Sequence, residues 1–165
     1  MKFVVKSKVF LLLVTLAVVS ACSSVDCPLN NKVCATYAFK NSDGSAYTLT
    51  DTLTVNAKTQ RGDTTLFNRG VDIKSFSAEM SYAQPEDELR LQFVNAAGTI
   101  IRDTIWIQKE NHPHLESVDC APRYFHTITG VKFSQHLIDN IAINDKEVNY
   151  DISDENFHIY LRTGR

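Results

Sequence analysis

From Val33 onward, apolar and polar residues alternate with period two, and turn-forming residues break the alternation at short intervals. Val33, Ala35, Tyr37 and Phe39 occupy alternate positions, and Asn41-Ser42-Asp43-Gly44 then supplies turn chemistry. Residues 48–55 are rich in Thr, Leu and Val, which suit a pleated backbone. Arg61-Gly62-Asp63 separates them from the short segment 64–67, and Phe76, Ala78, Met80 and Tyr82 then alternate as far as Gln84-Pro85-Glu86-Asp87. Leu89, Leu91 and Phe93 resume the pattern. Segments 89–94 and 99–107 flank Asn95-Ala96-Ala97-Gly98, whose length and composition predict a tight hairpin. Beyond Cys120, Phe125, Thr127, Thr129, Val131 and Phe133 alternate, and segments 137–143, 148–150 and 157–161 follow between polar turns. Leu137, Ile138 and Ile141 also fit one turn of helix, the single ambiguous place.

Eight or nine short strands with regular turn signals predict an all-β domain: a β-sandwich of about eight strands, immunoglobulin-like by architecture only. The Cys…Trp…Cys spacing of a true immunoglobulin domain is not met, because Trp106 and Cys120 stand only fourteen positions apart. Asp51-Thr52-Leu53, Asp63-Thr64-Thr65 and Asp103-Thr104-Ile105 recur at unequal spacings and read as strand entrances rather than a repeat.

The segment ahead of the strands is built differently. Lys2, Lys6 and Lys8 make a basic start, and residues 9–19 are apolar except for Thr15. Residues 9–21 are too few to cross a hydrocarbon core, which takes about 20 residues of helix. A basic start, a short apolar stretch and small residues at its end predict a signal peptide over residues 1–21. The closing tetrapeptide Val19-Ser20-Ala21-Cys22 resembles the lipobox of bacterial lipoproteins, although the commonest residue at its first position is Leu. That resemblance implies lipidation of Cys22, which then becomes the mature N-terminus and ties the protein to a membrane. Each buried acyl methylene adds about 0.8 kcal/mol, so two or three chains anchor firmly. The alternative is a soluble secreted protein cut after Ala21. Residues 22–31 then form a lipidated tether and residues 32–165 the sandwich. Asp directly after the cysteine, an inner-membrane retention signal in some bacteria, is absent, and Asp26 is a weak version of the acidic run that favours surface export in Bacteroidota. The expected address is the outer membrane, facing the periplasm.

Composition refines this picture. A chain of 165 residues with 44% hydrophobic and 22% charged content suits one globular domain plus an appendage. Its formal charge of −2 becomes −5 once the three N-terminal lysines are removed, leaving 14 basic against 19 acidic residues. With no basic stripe, a nucleic-acid partner held by phosphate contacts is not expected.

Three cysteines remain beside Cys22. Export places them in an oxidising compartment, where one disulfide and one odd thiol are expected. Cys27 and Cys120 both sit near prolines in turn contexts, whereas Cys34 lies inside a strand-like run. These contexts favour Cys27–Cys120, while loop-closure energetics do not decide between that pairing and Cys27–Cys34. No CxxC pair offers a redox or zinc-ribbon site.

Candidate chemistry is sparse. Asn111-His112-Pro113-His114, with Glu116 or Asp119, offers metal-ligand residue types, but a polar loop is the simpler reading. His126, His136 and His158 are dispersed. Asp151, Asp154 and Glu155 lack the spacing and central glycine of an EF-hand and read as a solvated turn. Arg61-Gly62-Asp63 matches the integrin-binding tripeptide and equally suits a turn. Trp106, Tyr82, Tyr124 and Tyr160 offer aromatic faces for a glycan platform or for the core. There is no GxSxG, HExxH or P-loop, so no catalytic residue, metal or cofactor is expected.

Several stretches together resemble an uncharacterised family of small Bacteroidota lipoproteins: Cys22-Ser23 with Asp26-Cys27-Pro28, Thr50-Asp51-Thr52-Leu53-Thr54-Val55, Asn68-Arg69-Gly70-Val71, Ser81-Tyr82-Ala83-Gln84-Pro85, the run from Pro113 through Asp119-Cys120, and Phe125-His126-Thr127-Ile128-Thr129. The resemblance implies an all-β envelope lipoprotein with Cys27 paired to Cys120 and Cys34 as the odd thiol. It carries no activity. The expected function is a non-catalytic binding or envelope-assembly module with an envelope protein or a glycan as partner. The alternatives are a surface-exposed adhesin or glycan-binding lipoprotein, and a hydrolase with a non-sequential site.

Overall fold

A computed structural model describes residues 33–162. Cys22 and Cys27, with the predicted signal peptide and tether, lie outside the described residues. The described chain contains ten strands and no helix. They are β1 (Cys34–Lys40), β2 (Thr52–Thr59), β3 (Gly62–Gly70), β4 (Ser75–Glu79), β5 (Glu86–Val94), β6 (Ile100–His114), β7 (Arg123–Phe133), β8 (Ile138–Ile143), β9 (Glu147–Val148) and β10 (Phe157–Leu161). A four-stranded sheet in the order β4-β1-β10-β8 faces a six-stranded sheet in the order β3-β2-β5-β6-β7-β9. The all-β sandwich expected from the alternation is therefore the architecture found, with ten strands rather than about eight. The stretch 138–143, which also fitted a helical turn, is a strand.

Alternation sets which side chains meet. Leu89, Leu91 and Phe93 of β5 and Ile105 and Ile107 of β6 point inward and are buried, opposite Tyr37, Phe39, Phe157 and Ile159 of the smaller sheet. Tyr37 is the partner of Phe76 on one side and of Phe157 on the other. The three rings stack at 4.7 and 4.8 Å, so one cross-strand row fixes the register of three strands.

The predicted hairpin is present. Gly98 donates to the Asn95 carbonyl at φ 81°, and the Asn95 side chain accepts the amides of Ala97 and Thr99. This is a turn followed by a left-handed glycine, a common longer hairpin connection. At Gly70 the constraint is space: an added Cβ would lie 2.3 Å from the Phe67 ring, just where Arg69 and Asp72 adopt positive φ to turn the chain toward β4.

One expectation is corrected. Residues 111–114 are the last part of the fifteen-residue β6, paired with β7 through Pro113↔Tyr124 and His114↔Arg123. β5 begins only at Glu86, opposite Gln108, so Pro113 faces an edge that needs no amide donor, and a strand tolerates it there.

Candidate functional site

Two inward rows carry charge where the pattern calls for apolar residues. On β5, Asp87 is in phase with Leu89, Leu91 and Phe93; on β6, Asp103 and Lys109 are in phase with Ile105 and Ile107. All three charged residues are buried.

Lys109 and Asp87 form one polar cluster at the Cys120 end of the sandwich. The Lys109 Nζ lies 3.1 Å from Asp87 Oδ2 and donates to the Gln84 carbonyl at 2.8 Å, and its side chain has no solvent exposure. Asp87 also accepts the Ser81 amide. Burial pushes the Asp87 carboxyl above its ordinary value, although Lys109 and the Ser81 amide pull the other way. Next to the lysine, the Asn111 amide nitrogen donates to the Tyr82 and Gln84 carbonyls, so its oxygen is left to accept from His126 Nδ1 at 2.7 Å. His126 is thereby fixed as the neutral tautomer protonated at Nδ1. Burial first, then the charges of Lys109 and His112, lower its pKa from 6.5 to about 4.

His126 gives the fold a specific acid sensitivity. Its folded pKa lies below its unfolded value, so protonation favours the unfolded chain. The stability held above pH 6.5 drains as the pH falls toward about 4. Urea titrations between pH 7 and 4 are expected to show a loss of about 3 kcal/mol over that window. In His126→Gln the slope in this window should largely vanish. An unchanged slope would assign the loss elsewhere.

Asp103 closes the opposite end of the β6 row. Its carboxylate accepts from the Ser134 hydroxyl at 2.6 Å, from the amides of His136, Leu137 and Ile138, and from His136 Nδ1 at 3.1 Å. Burial alone would raise its pKa, but the Ser134 hydroxyl and these amides outweigh burial and hold the carboxyl below its ordinary value. The oxygens are spent on the link from β7 to β8, so the group is a clasp rather than an acid or base.

The residues singled out in the sequence are scattered. Cys120 is disulfide-bonded and Cys34 keeps a half-buried thiol; the expected partner Cys27 lies outside the described residues, as does Cys22. His112 contacts the Thr127 hydroxyl at 3.1 Å, while His114 stacks on Phe125 at 4.3 Å and sits 3.3 Å from Glu116. Among the described residues no group of three His, Cys, Asp or Glu is placed to hold a metal ion. Asp63 of the Arg-Gly-Asp tripeptide is ion-paired with Arg90 at 2.9 Å, and Arg61 lies in the short β2–β3 turn. Asp151 accepts the Ser153 amide and hydroxyl, which lowers its pKa, whereas Glu155 turns to Lys40 and His158. The four aromatics do not form one platform: Tyr82 stacks on Tyr124 at 5.0 Å, Trp106 lies on the outer face of the larger sheet, and Tyr160 lies on the smaller sheet.

A groove of about 1010 Å³ opens at the end where β1 and β10 finish and β2 and β8 begin. Lys40, Asn41, Tyr47, Asn95, Asn140 and Tyr160 are among its walls. The loop before β2 supplies one wall, the β8–β10 pair another and the β5–β6 turn a third. Sequence reasoning singled out Tyr160 here but missed Tyr47 and the asparagines: Asn41 and Asn95 read as turn residues, and Asn140 as one polar position of the segment 137–143. A second, more apolar concavity of about 370 Å³ opens between the edge strands β3 and β4, bounded by Leu66, Met80 and Leu89, with Asp87 at its wall.

Residues 52–161 match a family of unknown function, DUF6452, and the chain belongs to that family. No curated protein and no solved structure matches it.

Proposed function

We propose that this member of the family is a lipid-anchored envelope protein of the outer membrane, facing the periplasm, that works as a non-catalytic binding or envelope-assembly module. The observation that carries the reading is the order of the chain: a basic and apolar leader ends in Val19-Ser20-Ala21-Cys22, and a β-sandwich begins within a dozen residues. An acylated Cys22 holds such a domain at the bilayer surface while its far loops stay free to meet a partner. The buried polar groups support binding over catalysis, because Asp87, Lys109 and Asp103 are each committed to partners within the fold.

Replacing Cys22 by serine tests the anchor. The unaltered protein is expected in the membrane fraction and released only by detergent, and the Cys22→Ser protein in the soluble fraction. Continued membrane retention of the variant would sink the reading. Protease treatment of intact cells tests the face: protection is expected, and cleavage beside an intact periplasmic control would move the domain to the cell surface.

A further inference from the structure

We infer that the groove at the β1 and β10 ends binds a neutral, hydroxyl-rich ligand, a short oligosaccharide. The inference rests on the reading of the protein as a binding module and supplies its ligand class.

Size is the first argument. About 1010 Å³ lies at the upper end of the ~300–1,000 Å³ that small-molecule sites occupy, room for several linked rings rather than one ion. Charge is the second. The two cations in the walls are already matched: Lys40 Nζ sits 2.6 Å from Glu155 and is mostly buried, and Arg162 Nε sits 3.8 Å from Asp139. The groove thus offers no surplus positive charge to an anion such as a phosphate. The third argument is the chemistry of the remaining walls. Asn140 presents an exposed amide with donor and acceptor in one plane, which suits adjacent hydroxyls that donate and accept together, whereas the Asn95 oxygen and the Asn41 amide nitrogen are engaged within their own turns. Tyr47, packed partly on the core, and Tyr160, on the outer face of the smaller sheet, supply aromatic surface with a polar tip. The exposed Asn140 is the direct cross-strand neighbour of Tyr160, which places an amide beside a ring. A ring for the C–H face of a sugar and an amide for its hydroxyls form a minimal recognition pair.

Calorimetric titration of the full chain in detergent tests this. The probes are four-residue oligosaccharides of glucose, mannose and N-acetylglucosamine, with tetragalacturonate as an acidic counterpart. At least one neutral probe is expected to bind, more tightly than the acidic one. Tyr160→Ala and Asn140→Ala should each weaken it about tenfold or more, and Trp106→Ala, on the other sheet, less than about twofold. Asn140 is exposed on an edge strand, so its variant keeps the test sound if Tyr160→Ala fails to fold; an unchanged melting curve checks this. No heat from any neutral probe, tighter binding of the acidic one, or binding indifferent to both groove substitutions would overturn the inference. A chain that keeps its membrane anchor and crosslinks to an envelope protein yet binds no neutral probe would retain the binding-module reading and lose this one.

Discussion

Replacing Lys109 by methionine is expected to destabilise the protein by about 3–5 kcal/mol, seen as a fall in the urea midpoint at pH 7. The substitution keeps most of the side-chain volume, so a cavity is not the reason. It strands the largely buried Asp87 carboxylate without its cation and leaves the Gln84 carbonyl without the lysine as donor. The raised pKa of Asp87 shows that burial already outweighs the attraction of Lys109 for the charged form. An apolar pair should therefore do nearly as well as the ionic one. The double replacement Asp87→Leu with Lys109→Met is expected to recover most of the loss, giving a strongly favourable coupling in the double-mutant cycle. Simple additivity of the two single losses would show that the residues do not act as a pair.

Asp103→Ala is expected to cost a similar amount, about 3–5 kcal/mol, by a different route. Three backbone amides and a hydroxyl lose their acceptor at once in a buried place, and each orphaned donor is worth about 1–3 kcal/mol before local relaxation. Asp103→Asn keeps one oxygen and should fall between the two. Because the clasp ties β6 to the β7–β8 link, amide exchange at Leu137 and Ile138 should accelerate more than exchange in β2 or β5. The pH dependence has its own window. The folded pKa of Asp103 is depressed, so its contribution is complete above the unfolded value near 3.8 and is lost as the pH falls through the lower folded value. That places the Asp103 limb below the pH 6.5–4 limb of His126. A variant at one position should flatten only its own limb.

The architecture was legible because its signal is repeated. Leu89, Leu91 and Phe93, then Ile105 and Ile107, hold one phase across a turn whose residues fit the connection they make. Other features have no sequence signature of that kind. Pro113 and its flanking histidines read as a loop by composition, yet the strand continues through them because the neighbouring β5 does not reach that far. Asp87, Asp103 and Lys109 share the phase of the buried apolar rows, and that coincidence is the signal that would have found them. It was masked by the ordinary expectation that charged residues at strand ends face water. The groove is less legible still. Its walls come from loops and strand ends far apart in the chain, so no local spacing brings Tyr47, Asn95 and Asn140 together.

The centre of the four-stranded sheet is formed by β1 and β10, which run parallel and join residues 120 positions apart, as in the bond from the Thr36 amide to Asn156. The β5–β6–β7 meander can form from neighbouring segments, but β1 has no partner within reach of its own region except β4. Until residues 157–161 arrive, the Tyr37 ring row lacks one side and the smaller sheet is split. Folding of this chain is therefore governed by long-range closure: assembly by milliseconds to seconds rather than microseconds, with the first strand waiting on the last. A chain shortened before Phe157 would keep its hairpins and lose its second layer.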